Sequence, residues 1–199
     1  MILGITGGTG SGKTTLLKVA QDLGFRVLDC DQIYHELLQT DRALLAAIEA
    51  RFPGSVEEGL LQRKKLGAVV FADPEALSDL NAITHSAIRQ AVEERLLPGQ
   101  NTAIDAIALF ESGLGTLCDA TVAVNAPTEQ RLRRLMLRDG ISEAYARSRI
   151  NAQPTEEYFR SRCSYVLEND GDEPQFRRKC LAFFRQLGIM KENSKEEIL

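Results

Sequence analysis

The sequence has few of the residues that build metal centres or disulfide frameworks. Its four cysteines include no Cys-x-x-Cys pair, and only two histidines, His35 and His85, accompany them. This spacing argues against a zinc site. The cysteines are instead expected to be mostly buried thiols of a protein in a reducing compartment.

Long apolar segments are also absent. No apolar run approaches the roughly 18–20 residues that span a bilayer, and we expect no membrane partner. The amino-terminal residues run directly into glycines, without the basic flank and apolar stretch of a signal peptide. We therefore expect a cytoplasmic protein.

Charge of neither sign dominates the chain. Its 24 Lys and Arg residues are set against 28 Asp and Glu residues, which gives a net charge of −4. This balance is not typical of a nucleic-acid-binding surface, and we expect no nucleic-acid partner. The 199 residues, of which 44% are hydrophobic, are sufficient for one domain with a sizeable core. We predict that domain over residues 1–190 and a polar tail over 191–199; the sequence leaves the oligomeric state open.

A glycine-rich stretch near the start indicates nucleotide binding. Residues Gly7–Thr14, which we call the nucleotide loop, read GGTGSGKT and match the phosphate-binding pattern G-x-x-x-x-G-K-[ST]. The loop follows an apolar strand at Ile2–Thr6 and precedes helical spacing at Lys13–Leu23, which is the context that the pattern requires.

The residue types in the nucleotide loop suit a triphosphate. Glycines let the backbone wrap an anion with its N–H groups, and the following helix turns its positive end toward the phosphates. We expect Lys13 to reach the β- and γ-phosphates and the Thr14 hydroxyl to bind Mg²⁺. The predicted nucleotide-binding residues of the loop are Gly8, Thr9, Gly10, Ser11, Gly12, Lys13, Thr14 and Thr15.

Strands and helices alternate along the chain, which predicts an α/β fold with a parallel sheet and right-handed crossovers. Further strands are expected at Phe25–Asp29, Asn101–Glu111, Ala120–Pro127 and Ser164–Asp170. Helical spacing dominates the block between the second and third strands, which suggests a subdomain that covers a substrate. Helical spacing also dominates residues 128–163, which precede the last predicted strand.

Two carboxylates follow the second predicted strand. Asp29 and Asp31 lie at its carboxyl end, where open α/β sheets bind ligands. A carboxylate there would accept a proton from an attacking hydroxyl or help to hold Mg²⁺. Alternatively, Asp31 only caps the next helix. The residues alone do not decide between these interpretations.

The third predicted strand contains Asp105 and ends at Glu111. An aspartate in this position suits a Mg²⁺ ligand of the Walker B type, and the alternative is a charge at a sheet edge. His85 lies on a helix of the inserted block, where a lone histidine is more often structural than catalytic.

Arginine without lysine fills the segment from Arg131 to Arg162. The segment has eight arginines against four acidic residues, a local charge of +4. Arginine suits bidentate contacts with phosphate, so a helix pair divided at Asp139-Gly140 predicts a lid over a triphosphate. A solvated helix face is the alternative and applies to most of these arginines.

Taken together, the motifs resemble those of the dephospho-CoA kinase family. After the nucleotide loop come LDCDQIYHELL, LNAITHSAI, DAIALFE, RLMLRDG and YVLENDG, in the family's order. The resemblance covers most of Ile2–Gly171. It implies an enzyme that uses ATP and Mg²⁺ to phosphorylate the ribose 3′-hydroxyl of dephospho-CoA, giving coenzyme A and ADP.

The resemblance also implies a P-loop NTPase fold of three layers, α/β/α, with a five-stranded parallel sheet. It places the core at about residues 1–30, 100–137 and 164–190, a helical CoA-binding insertion at about 31–99, and a small helical lid at about 138–163.

The functional residues that the resemblance implies are spread over all three parts. Asp31 would be the catalytic base, with Lys13 and Arg138 as the other catalytic residues. Arg138 and Asn169 would complete the ATP-binding set. The implied substrate-binding residues are Asp31, Asn81, His85 and Glu111, and the predicted metal ligands are Thr14 and Asp105.

Four residues depart from the family's usual motifs, and one of them is Cys30, at the middle position of an Asp-Ala-Asp segment. Ser86 follows the histidine where proline is usual, and Ile107 and Ala108 replace a proline and a leucine. Two alternative functions stay open: a P-loop kinase for another small nucleotide-like hydroxyl substrate, and a non-catalytic nucleotide-binding switch. The Asn-Lys-x-Asp run of guanine-nucleotide switches is absent from the sequence.

Overall fold

A computed structural model of the protein describes residues 1–190; the predicted polar tail, 191–199, lies outside the described residues. The chain divides into two compact units. We call them the sheet unit (Met1–Val27, Gln100–Ile107 and the described residues from Cys118 onward) and the helical unit (Leu28–Gly99 and Ala108–Leu117). The sequence assigned 108–117 to the core, and the domain boundaries stay a prediction.

The strands are β1 (Ile2–Thr6), β2 (Arg26–Asp29), β3 (Val56–Glu57), β4 (Leu60–Leu61), β5 (Thr102–Asp105), β6 (Ala120–Asn125) and β7 (Tyr165–Glu168). The helices are α1 (Lys13–Asp22), α2 (Cys30–Thr40), α3 (Arg42–Arg51), α4 (Arg63–Val70), α5 (Pro74–Arg95), α6 (Thr128–Asp139), α7 (Glu143–Asn151), α8 (Glu156–Arg162) and α9 (Glu173–Gln186). A single 3₁₀ turn, Leu114–Leu117, precedes β6 in the described chain.

Five strands form one sheet in the order β2-β5-β1-β6-β7. The central strand β1 pairs in parallel with both β5 and β6, and β6 pairs in parallel with β7. Because β1 lies in the middle, the nucleotide loop leaves the sheet between two neighbouring strands. The predicted five-stranded parallel sheet and α/β class are confirmed.

One face of the sheet is covered by α1 and α9. Alternate residues of β1, including Leu3 and Ile5, are fully buried there, as a strand period of two requires. The helices contribute residues at helical spacing. These are Leu16, Val19 and Ala20 from α1, and Phe176, Cys180, Phe183 and Phe184 from α9. Burial of each large side chain stabilises the fold by about 1.5–3 kcal/mol.

The strand β5 is shorter than predicted. It ends at Asp105, and the following residue makes the last bond to the central strand, from Ala106 N to Ile5 O at 3.1 Å. The chain then turns, and Ala108 O accepts hydrogen bonds from the amide and the hydroxyl of Ser112 at 3.0 and 2.6 Å. The prediction that Glu111 ends a strand was therefore wrong, because these turn bonds replace the strand pairing.

The helical unit is built around α5. Asp73 caps this helix by accepting from Glu75 N at 2.9 Å, and Pro74 occupies a first-turn position that needs no N–H donor. The helix packs against α2, α3 and α4. The short hairpin of β3 and β4 was not predicted, because Glu58 occupies a turn position with a φ of 51° that asparagine or glycine usually fills.

Disulfides, candidate metal clusters and membrane-spanning helices were searched for among residues 1–190. The four cysteines all lie within residues 1–190 and form no disulfide there. Over the same residues, no group of three or more His, Cys, Asp or Glu side chains is arranged to hold a metal ion. None of the helices in this range is both long and apolar enough to cross a membrane.

Candidate functional site

The nucleotide loop connects β1 to α1 in a conformation that needs glycine. Gly7, Gly10 and Gly12 have φ values of 134°, 75° and 103°, in the region that other residues rarely adopt. A Cβ atom at Gly7 would also overlap the carbonyl oxygen of Val124 in the neighbouring strand. Gly12 is the N-cap of α1 and makes no side-chain cap, which leaves the first helical N–H groups available to an anion.

Side chains from α6 and from the residue after β7 hold the outer carbonyls of the loop. Arg131 Nε donates to Thr9 O at 2.9 Å, and Asn169 Nδ2 donates to Ser11 O at 2.8 Å. Arg134 donates to the carbonyls of Gly10 and Ser11, both at 3.2 Å. In a trans peptide the N–H points opposite to the C=O. The loop N–H groups that follow these carbonyls are therefore turned away from the arginines.

Two of these supporting side chains are buried. Arg131 is 5% exposed and Asn169 is 4% exposed. Burial lowers the pKa of the Arg131 guanidinium, an effect that the charge of Glu156 partly offsets. A Cβ atom at Gly8 would overlap the Arg131 guanidinium, and one at Gly12 would overlap the Asn169 amide. The close approach of these side chains therefore explains two of the glycines in the loop.

The residues predicted to contact phosphate and Mg²⁺ lie at the end of the loop. Lys13 Nζ donates to Gly7 O at 2.8 Å, so the ammonium group already folds over the loop. Thr14 is exposed in the first turn of α1. Asp105 is the last residue of β5 and pairs in register with Ile5 of the strand that leads into the loop.

The predicted lid arginine is held by a carboxylate. Arg138 makes a two-pronged contact with Asp139, from Nε at 2.7 Å and from NH2 at 3.0 Å. Arg149 donates to the same carboxylate at 2.7 Å. The hydrogen bonds from Arg138 and, to a smaller extent, from Arg149 lower the pKa of Asp139 to about 2, so this carboxylate is ionised at neutral pH. The Arg138 side chain is 60% exposed and accessible to a ligand.

In the helical unit, the two aspartates at the start of α2 differ in their contacts. Asp29 caps α2, since its Oδ1 accepts from the backbone N–H groups of Asp31 and Gln32 at 2.9 and 3.1 Å. The alternative that Asp31 caps this helix was wrong. The Asp31 side chain is exposed and makes no hydrogen bond or ion pair with any of residues 1–190. Its carboxylate is therefore available for chemistry.

His85 lies against the segment that contains Glu111. Burial lowers the pKa of His85, while the charge and the backbone of Glu111 oppose that shift. His85 is therefore neutral at pH 7 and can donate or accept a hydrogen bond. One turn later on α5, Arg89 NH1 donates to Gly113 O at 2.7 Å and so holds the same segment. Asn81, one turn before His85, is exposed.

Comparison with known proteins identifies the family. The dephospho-CoA kinase family model matches residues 1–175. The chain belongs to the dephospho-CoA kinase family. A dephospho-CoA kinase from Syntrophotalea carbinolica is 38% identical over 194 residues, which cover 94% of this chain and 92% of the relative.

Solved structures of the family share the fold. A Thermus thermophilus protein of known crystal structure is 35% identical, with a TM-score of 0.77 over 94% of this chain and 97% of that one. The dephospho-CoA kinase from Campylobacter jejuni is 26% identical, with a TM-score of 0.68 over 95% of this chain and 98% of that one. The three-layer P-loop fold predicted from the sequence is confirmed.

Sequence reasoning missed two of the residues that support the nucleotide loop. Arg131 and Arg134 were recognised only as members of the lid segment, yet both donate to loop carbonyls. Asn169 was predicted only as an ATP-binding residue, and its amide lies between Ser11 O and the guanidinium of Arg134. The available signal was the spacing of three between the arginines, which puts both on one face of α6. The functional roles of the predicted residues stay predictions.

Replacement of Gly8 by alanine tests the close packing behind the loop. The added Cβ would displace the Arg131 guanidinium from Thr9 O. Since a hydrogen bond from a charged donor contributes about 1.5–3 kcal/mol, we expect ATP to bind about 10- to 100-fold more weakly. Titration calorimetry with ATP measures this. Gly67→Ala, in α4 with only ordinary contacts around the new methyl group, is the control. Wild-type affinity in Gly8→Ala would contradict the packing argument.

The lowered pKa of His85 predicts an acid-sensitive stability. Because the unfolded chain binds a proton at this residue at a higher pH than the folded chain, the folded state loses stability as pH falls below about 6.5. His85→Gln removes this protonation. We expect the variant to lose less unfolding free energy than the wild type between pH 7.5 and 5.5, measured by urea denaturation. Ser86→Ala, next to it and exposed, is the control. Equal losses in variant and wild type would refute the expectation.

Proposed function

We propose that this protein transfers the γ-phosphate of ATP to the ribose 3′-hydroxyl of dephospho-CoA, forming coenzyme A and ADP. The observation that carries the proposal is the family match over residues 1–175. That range includes the nucleotide loop and the segments that contain Asp31, Asn81 and His85. The contacts described above supply the support for the individual roles.

The nucleotide loop and Lys13 would bind the triphosphate of ATP. The conformation of the loop supports this role, since its outer carbonyls are held by Arg131, Arg134 and Asn169 and the N–H groups that follow these carbonyls are turned away from those side chains. Phosphoryl transfer requires mainly positioning and neutralisation of charge. Arg138 would release Asp139 and donate its guanidinium hydrogen bonds to oxygens of the transferring phosphoryl group instead.

Mg²⁺ would be held by Thr14 and Asp105 together with phosphate oxygens. Both side chains provide the oxygen ligands that Mg²⁺ prefers, and Mg²⁺ commonly takes only one or two ligands from the protein at such sites. The placement of Thr14 at the start of α1 and of Asp105 at the end of β5 fits this role. The ion would neutralise the negative charge that develops on the phosphates.

Asp31 would accept the proton of the attacking 3′-hydroxyl. This role is supported by the exposed carboxylate of Asp31, which follows the end of a strand. The helix cap is provided by Asp29, so Asp31 is not needed for it. Asn81, His85 and Glu111 would bind the acceptor. Because His85 is neutral at pH 7, it would contribute a hydrogen bond rather than a positive charge.

An assay of ADP release with a panel of acceptors tests the proposal. The panel contains dephospho-CoA and its two halves, AMP and 4′-phosphopantetheine. We expect turnover with dephospho-CoA and much less with either half, and mass spectrometry should show one phosphate added at the 3′ position. Equal turnover with AMP would favour a kinase for other nucleotide-like hydroxyl groups. ATP binding without turnover of any acceptor would favour a switch.

A further inference from the structure

Besides Arg131, a second side chain holds the backbone of Thr9 in the nucleotide loop: that of Gln153, which follows α7. Its side-chain oxygen accepts a hydrogen bond from the backbone N–H of Thr9 at 2.7 Å. The same oxygen accepts from Arg131 NH2 at 3.4 Å, and Arg131 Nε donates to the carbonyl of Thr9 at 2.9 Å. Both polar backbone groups of Thr9 are therefore bound by side chains that also bind each other.

This arrangement restrains the most easily rotated part of the loop. Thr9 lies between Gly8 and Gly10, and Gly10 has a φ of 75°. Peptide groups next to glycine rotate at low energetic cost because no Cβ atom obstructs them. If the peptide after Thr9 rotated by half a turn, its carbonyl would replace the Gly10 N–H on the inner side of the loop. A carbonyl oxygen there would repel a phosphate that needs N–H donors.

We propose that Gln153 is a positioning residue for the phosphoryl donor, which holds the Thr9 backbone in the orientation that a triphosphate requires. Arg131 alone restrains only the carbonyl of Thr9, whereas Gln153 restrains its N–H and also orients the Arg131 guanidinium. The role rests on the proposed function only in the identity of the nucleotide. It assigns a positioning role to an uncharged residue of the arginine-rich segment.

The surroundings of Gln153 allow a clean substitution. The side chain borders a cavity of about 470 Å³ that is also lined by Ile150, Asn151 and Pro154. Methionine has nearly the same length as glutamine and can occupy the same space, but its thioether is only a weak acceptor. Gln153→Met therefore removes the hydrogen bonds to Thr9 and Arg131 without a steric clash, and Gln153→Ala removes the whole side chain.

Titration calorimetry with ATP, without any acceptor, measures the effect directly. We expect ATP to bind about three- to tenfold more weakly to Gln153→Met and to Gln153→Ala, the range for the loss of the neutral hydrogen bond from Thr9 N–H, because the contact with Arg131 is long at 3.4 Å. In steady-state assays the KM for ATP should rise by a similar factor. The KM for dephospho-CoA and the kcat at saturating ATP should change less than about twofold, because the restraint acts on donor binding.

Asn151→Ala is the matched control, since Asn151 borders the same cavity and its side chain has no hydrogen bond to any of residues 1–190. It should bind ATP as the wild type does. If both Gln153 variants bind ATP with wild-type affinity, or lose thermal stability with the KM for ATP unchanged, the positioning role is refuted. Failure of the wild type to turn over dephospho-CoA would overturn the proposed function alone, because ATP binding is measured separately.

Discussion

Asp31→Asn is expected to reduce turnover by about 10²- to 10⁴-fold, the contribution that a general base usually makes. Asparagine has the same shape as aspartate and cannot accept the proton of the attacking hydroxyl. The fold should not change, because Asp31 is exposed and Asp29 provides the cap of α2. ATP affinity should stay within about twofold of the wild type, since the role assigned to Asp31 concerns the acceptor.

The neighbouring aspartate supplies the control for this experiment. Asp29→Asn keeps a cap, because asparagine accepts from helix N–H groups nearly as well as aspartate does. It removes the same charge two residues away and should retain most of the turnover. The kcat values of both variants and their ATP affinities decide the assignment. If Asp29→Asn loses turnover and Asp31→Asn keeps it, the base is Asp29, and if both keep it, neither carboxylate accepts the proton.

The parts of the fold that depend on short stretches of sequence were predictable. The apolar run of β1, the glycines of the loop and the helical spacing of α1 are consecutive, so their pattern predicts the strand, the loop and the helix together. The parallel sheet followed because the strands are joined by helices. The end of β5 was not predictable in the same way, since residues 106–111 are as apolar as a strand, and the bonds that replace strand pairing there, such as those from Ser112 to Ala108 O, involve residues farther along the chain.

The supports of the nucleotide loop lay beyond sequence reasoning for a different reason. Arg131 and Gln153 lie more than a hundred residues from Thr9 in the chain, and their contacts depend on how α6 and the residue after α7 pack. Composition shows that this segment is rich in arginine, but it does not show which arginines contact the loop. Burial separates them: Arg131 is buried behind the loop, whereas Arg138 is exposed and paired with Asp139.

Lys13→Ala is expected to reduce kcat/KM for ATP by about 10²- to 10³-fold, the usual cost of removing one donor that stabilises developing charge. The ammonium group of Lys13 lies 2.8 Å from Gly7 O, so it is close to the loop that would hold the phosphates. No other lysine or arginine lies within the nucleotide loop to replace it. The loss should appear with every acceptor, because the lysine acts on the donor.

The same substitution should leave the fold intact, which separates this effect from unfolding. Lys13 lies in the first turn of α1, where a positive charge is repelled by the positive end of the helix dipole and destabilises the helix by about 0.3–1 kcal/mol. Because alanine removes that repulsion together with the bond to Gly7 O, two effects of opposite sign, the variant should still unfold cooperatively in urea without nucleotide. Lys18→Ala removes the same charge from an exposed position of α1 and should retain full activity. Wild-type kcat/KM for ATP in Lys13→Ala would show that the loop does not hold the phosphoryl donor. An equal loss in both variants would attribute the effect to overall charge.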